Sequence, residues 1–136
     1  MRRNEKVERL SEVPLFGECS KRDLAAIARL AREVSLPAGH TLIREGAEAF
    51  SFFVILEGTA EVRQGGRRVA TLGPGEFLGE LALILRRPRN ATVTLTSPAR
   101  LLVVSAHNFR PLLLGLPQLQ YKLLEGLAER LAPATT

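Results

Sequence analysis

The sequence predicts a mainly β fold, a jelly-roll-like β-roll of about eight strands with one N-terminal and two C-terminal helices flanking it. Three observations carry this expectation. Between residues 34 and 104 short apolar or β-branched runs are punctuated by Gly39, Gly46, Gly58, Gly65-Gly66 and Gly73-Pro74-Gly75, a cadence of roughly 7 to 12 residues that suits a sandwich or barrel. Before that span, Leu24, Ile27, Ala31 and Val34 recur at helical spacing. After it, leucines recur at helical spacing to the end of the chain.

Taken in order, Leu10 to Phe16 reads as a short apolar lead-in. Ser20, Lys21, Arg22 and Asp23 fit a capping box, which predicts an amphipathic helix over 21–33. Phe52-Phe53-Val54-Ile55-Leu56 reads as a buried strand. Runs 59–63 and 68–72 flank Gly65-Gly66, a hairpin signal. Residues 91–96 alternate cleanly, and 100–104 closes the set. Ser105 is a candidate N-cap for a helix over 106–114, which Pro111 should interrupt or kink because it removes a backbone donor. Gly115 ends that helix and Pro117 suits the first turn of the next. There Leu116, Leu119, Leu123, Leu124, Leu127 and Leu131 form a wide apolar stripe that faces the β-roll, a second subunit, or both. Residues 132–136 read as frayed. The expected organisation is one domain: a helical lead-in 1–34, the β-roll 35–104 and C-terminal lid helices 105–132.

Composition narrows the function. The 136 residues are 46% hydrophobic and 24% charged, ordinary for a soluble globular domain. The one cysteine, Cys19, needs no oxidising compartment. No secretory h-region follows the charged start and no apolar span is long enough for a membrane, so a cytoplasmic protein is expected. A net charge of +5 and a pI near 10.3 raise the question of nucleic acid. The basic residues fall in small groups, Arg2-Arg3, Arg67-Arg68 and Arg86-Arg87-Arg89, without a recognition-helix pattern. No direct nucleic-acid partner is expected. His40 and His107 lie far apart with no metal spacing, and no nucleophile elbow or Walker-type loop is present. No metal, cofactor or catalytic residue is expected, so the chain reads as a non-enzyme.

The informative stretch is 73–95, GPGEFLGELALILRRPRNATVTL. Glu80 sits in an apolar run, and an ionised carboxylate is costly to bury without a hydrogen-bonding partner. Gly75 and Gly79 permit tight turns, and 80–85 is long enough for one or two helical turns whose first N–H groups have no helical partner. Such a start suits an anion. Pro88 fixes the chain before Arg89, whose planar guanidinium suits a phosphate, while Glu80 offers acceptors to a sugar hydroxyl. The same two residues also fit a structural ion pair with each other.

Gly79-Glu80-Leu81-Ala82-Leu83 followed by Pro88-Arg89-Asn90-Ala91-Thr92-Val93 resembles the phosphate-binding cassette of the cyclic nucleotide-binding domain family. The turns Pro37-Ala38-Gly39, Glu45-Gly46 and Leu56-Glu57-Gly58 resemble that family too, so the likeness covers almost the whole chain. The resemblance implies a cyclic purine nucleotide, cAMP or cGMP, with Glu80 on the ribose 2′-hydroxyl, Arg89 on the cyclic phosphate, and backbone at Gly79, Leu81 and Ala82 closing the cradle. Asn90 and Ala91 complete the candidate set. Asn90 departs from the Ala, Ser or Thr that many relatives carry, and the base stays open. By the same resemblance the last helix folds over the ligand as a lid or forms a dimer seam. The rival expectations are a ligand-free module that dimerises or docks on a partner protein through the leucine stripe, and the sensory half of a transcription factor, for which the 136 residues leave no helix-turn-helix.

Overall fold

A computed structural model describes residues 3–135. It divides into two compact units, Leu30–Arg110 and a helical unit made of the segments on either side of it in the chain.

The first unit is the β-roll. Eight strands, β1 (Ala31–Leu36), β2 (Thr41–Ile43), β3 (Ser51–Glu57), β4 (Ala60–Gln64), β5 (Arg67–Leu72), β6 (Phe77–Leu78), β7 (Thr92–Leu95) and β8 (Ala99–Ser105), form two four-stranded sheets. Their orders are β1-β8-β3-β6 and β2-β7-β4-β5, and every pairing is antiparallel. The core collects inward residues from both sheets. Phe53, Ile55, Leu78, Leu101 and Val103 come from one sheet, and Ile43, Ala60, Leu72, Val93 and Leu95 from the other. Strand β3 is apolar on both faces, because its alternate residues Phe52 and Val54 are buried as well. The Phe109 ring lies 4.9 Å from that of Phe52. Gly65 and Gly66, at φ 58° and 79°, make the two-residue link from β4 to β5, the geometry of a type I′ turn.

The helical unit holds α1 (Arg3–Ser11), a 3₁₀ turn at Pro14–Phe16, α2 (Lys21–Leu30) and α5 (Pro117–Thr135). The Asp23 amide donates to Ser20 Oγ at 3.1 Å, which caps α2. Lys122 Nζ reaches Glu18 Oε1 and Glu125 Oε1, each at 3.4 Å. Two further helices complete the chain, α3 (Glu80–Leu85) inside the β-roll unit and α4 (Ala106–Gly115), which leaves it. The Asn108 amide donates to Ser105 Oγ at 3.3 Å, so Ser105 caps α4 as expected.

Several expected boundaries move. The helix expected over 21–33 stops at Leu30, and Ala31–Leu36 is a strand, so the β-roll starts before residue 35. Strand pairing decides this. Ala31 to Leu36 register with Val104 to Ala99 of β8, and Glu33 Oε2 meets Arg100 Nη2 at 2.9 Å across the sheet, outweighing a weak local helix preference. Leu10 and Ser11, expected in a lead-in, end a helix instead. Pro111 does not interrupt α4, which runs on to Gly115. The final helix extends to Thr135 where fraying was expected from residue 132, and Thr136 lies outside the described residues. The leucine stripe divides: Leu116, Leu119 and Leu123 are buried, whereas Leu124 and Leu131 are 64% and 62% exposed.

One backbone position is unfavourable. Arg86 closes α3 with φ 56° and ψ 51°, its amide donating to Ala82 O, and it is the one non-glycine residue at positive φ among those described. Left-handed backbone costs an L side chain roughly 1–2 kcal/mol, and glycine is the usual occupant of this C-terminal position. Arg86→Gly is therefore expected to raise the unfolding free energy by about 0.5–1 kcal/mol, that penalty less the added chain entropy of glycine. Urea denaturation of both proteins measures it.

Candidate functional site

The site is built where three chain segments meet: the turn entering α3, the start of β3, and the stretch before β7. Gly79 precedes α3 at φ 91°. A Cβ added there would stand 2.9 Å from Arg89 Nη1, closer than real contacts come, and 3.1 Å from Ser51 O, tighter than most. Glycine is thus required twice, by the backbone angle and by the guanidinium lying on it.

Arg89 is 7% exposed and Glu80 2%. Arg89 Nη1 donates to Gly79 O at 2.8 Å and Nη2 to Ser51 O at 2.6 Å. Its backbone is fixed as well: the Arg89 amide donates to Ala47 O and its carbonyl accepts from the Gly46 amide, both at 2.8 Å. Arg89 has no direct ion pair among the described residues, so the expected alternative of a structural Glu80–Arg89 bridge is not what the fold builds. Burial lowers the Arg89 pKa from its ordinary value, and the attraction of Glu80 partly offsets this. A guanidinium has five N–H donors. The two carbonyls orient the group, and its remaining N–H bonds suit an anion with two acceptor oxygens.

Glu80 opens α3, and its Oε2 accepts from the Leu81 amide at 3.1 Å. A carboxylate there is also favoured by the positive end of the helix. Ala82 is 8% exposed and Ala91 7%, while Leu81 is 40% exposed. Asn90 is exposed, and its carbonyl accepts from Gln64 Nε2 at 3.1 Å. The structure therefore brings Gly79, Glu80 and Arg89 together with Leu81 and leaves the Asn90 side chain at the surface. A cavity of about 250 Å³ reaches Arg89 and is lined also by Ile43, Ser51 and Phe53. Ala82 borders a different cavity, of about 600 Å³, which shares Glu48 with the first. Sequence reasoning missed Ser51 and the 46–47 loop. Both act through backbone groups, and nothing in a side-chain pattern marks them.

Among the described residues no three metal-ligating side chains come together, and no helix is long and apolar enough to cross a membrane.

A glutamate and an arginine are thus buried close together inside a β-roll, and comparison with known proteins supplies the family. The family described as the cyclic nucleotide-binding domain matches residues 33–115. The chain belongs to it. A cyclic nucleotide-gated potassium channel of Mesorhizobium japonicum is 34% identical over 110 residues, 81% of this chain and 30% of the channel. A cAMP-dependent protein kinase regulatory subunit of Mycosarcoma maydis is 41% identical over 103 residues, 71% of this chain and 20% of the subunit. The chain thus spans less than a third of either relative. Among solved structures, the regulatory subunit of a cAMP-independent protein kinase A from Trypanosoma brucei superposes with a TM-score of 0.81 at 20% identity, covering 96% of this chain and 46% of that one. At that identity the likeness is one of fold.

Two measurements test this description. Arg89→Ala removes both carbonyl bonds and the nearby charge from buried Glu80, and is expected to lower the unfolding free energy by about 2–4 kcal/mol, read in urea. Cys19 has its pKa raised by burial first, then by Asp23 and Glu18. The folded chain then keeps the thiol proton at pH values where the unfolded chain releases it, so this contribution to stability is complete below the unfolded pKa and is lost as pH rises through the folded one. Iodoacetamide alkylation of the native protein should accordingly rise with pH at higher values than that of the urea-unfolded protein. Coincident profiles would show an unperturbed thiol.

Proposed function

We propose that the chain binds a cyclic purine nucleotide, cAMP or cGMP, and acts as a ligand-responsive regulatory module rather than an enzyme. The observation that carries this reading is the buried guanidinium of Arg89, oriented by Gly79 O and Ser51 O with Glu80 near enough to attract it. In this reading Arg89 holds the cyclic phosphate, Glu80 the ribose 2′-hydroxyl, and the backbone at Gly79, Leu81 and Ala82 the remaining phosphate oxygens, with Asn90 and Ala91 beside it. Helix α4, which starts at the end of β8, carries the change onward. A ligand shifts such an equilibrium only by its preference between two states. The names of the two relatives, a cyclic nucleotide-gated channel and a cAMP-dependent kinase subunit, support the ligand class and a regulatory role; a cytoplasmic setting with a partner protein that responds belongs to the same reading.

A second reading rests on a different observation. Tyr121, Leu124 and Leu131 are 59%, 64% and 62% exposed. With Ala128 between them they follow a 3-4-3 spacing along one face of α5, the seam of a helix that packs on another helix. Here the fold serves as an interaction or dimerisation module without ligand. The cAMP-independent kinase subunit shows that this fold occurs in a protein so described.

Calorimetric titration with cAMP and cGMP separates the two. A ligand of about 22 heavy atoms at roughly 0.3 kcal/mol per atom binds in the micromolar range. Arg89→Lys keeps a charge but loses the planar fork, and should weaken binding by about 1.5–3 kcal/mol, roughly 10- to 150-fold. No heat with either nucleotide, in folded and nucleotide-free protein, overturns the sensor reading. The interaction reading expects a concentration-dependent dimer in sedimentation, abolished by Leu124→Lys. A monomer at every concentration removes the dimerisation form of it.

A further inference from the structure

We infer that the β-roll unit carries a second binding site, next to the Arg89 cavity with which it shares Glu48, which takes an acidic peptide segment of a partner protein that inserts one apolar side chain. The site is the cavity of about 600 Å³ between α3, the loop before β3 and the first residues of α4. Its buried lining includes Ala82 at 8% exposure and Phe109 at 5%, with Leu83 half-buried beside them. Arg86, Arg87 and Arg110 line it as well, and all three are exposed. None of the three has an ion pair or a side-chain hydrogen bond among the described residues. Glu48 is the one acidic residue on the lining, and α4 starts there with Ala106. Three cations and a helix start face one carboxylate, so the charge balance favours an anionic occupant.

Arg86 is the second, independent observation. Its backbone is left-handed, at φ 56°, where glycine would be more stable. A position that keeps a long cation against its own backbone preference points to a role for that side chain.

The lining also selects among anions. An apolar floor without a buried polar side chain gives a free phosphate or sugar nothing to orient it. Phe109 is packed on Phe52 at 4.9 Å and presents no open face on which a nucleic-acid base could stack. Separate exposed arginines around an apolar hollow match a peptide that spreads carboxylates on either side of a leucine-sized anchor.

The test uses the whole chain and fluorescence anisotropy of a labelled peptide, Glu-Glu-Leu-Glu-Glu-Leu-Glu-Glu, at physiological salt. Binding in the range of about 10–100 µM is expected for a site of this size. Arg86→Gly, a variant expected to be more stable than the parent, should weaken binding about tenfold, the loss of one charge-assisted contact. Arg87→Gln with Arg110→Gln should weaken it further, whereas Arg67→Gln with Arg68→Gln, on the β4–β5 hairpin, should leave it unchanged. The proposal is overturned by no binding, by unchanged binding to Arg86→Gly, or by equal loss in the hairpin variant. Equal binding of a peptide with glycine in place of leucine overturns it in favour of unspecific charge attraction. Equal competition by pyrophosphate or by an oligothymidylate overturns it in favour of a small anion or nucleic acid.

Discussion

The β-roll unit turns on how a guanidinium is kept below the surface. Arg89 is bonded to Gly79 O and Ser51 O, carbonyls that belong to the α3 turn and to the first residue of β3. One side chain therefore fastens the segment before β7 to two others far away in sequence. The arrangement only works if Gly79 has no side chain, because any Cβ would collide with the guanidinium itself. It also needs the 46–47 loop, whose two backbone bonds set where Arg89 begins. Burying a cation is costly. Here the cost is met by backbone dipoles in a preorganised frame and, at longer range, by Glu80, which leaves the group available to an anion.

The sheets supply the rigid support for this. Strand β3 lies between β8 and β6, is buried on both faces and bears Ser51 at its start. Strand β8 is paired on both sides too, and Arg100 on it bridges Glu33 of β1 and Glu57 of β3 at 2.9 and 2.7 Å. Such half-exposed pairs add little to stability, but they agree with the register that places Ser51 opposite Ser105. The same register puts the beginning of α4 next to the beginning of β3, with the Ala106 amide donating to Phe50 O at 2.7 Å. The frame around Arg89 and the helix that leaves the β-roll thus share one backbone junction.

Helix α3 has two ends of different character. Its first residue belongs to the buried charged frame, and its later turn, through Ala82, Leu83 and Arg86, belongs to an open hollow with an arginine rim. Six residues make a short helix, held by tertiary packing rather than by its own cooperativity.

Much of this was readable from the sequence because it depends on local chemistry. Gly65-Gly66 specified its hairpin, Ser20 and Ser105 their caps, and the alternation of 91–96 its strand, since each depends on backbone angles or side-chain period within a few residues. The stretch 79–91 was readable through its resemblance to a family, and the family model that matches residues 33–115 bears that resemblance out. Tertiary structure decided the rest. Residues 31–33 look helical by themselves and join the strand Ala31–Leu36 because β8 offers it a ladder. Leu119 and Leu124 share one apparent stripe, yet packing buries the first and exposes the second. Whether Arg89 pairs with Glu80 or with carbonyls was undetermined by composition or spacing. The deciding partner, Ser51 O, is a backbone atom 38 residues away, and a main-chain carbonyl brought near by sheet pairing leaves no trace in the identity of the residue that carries it.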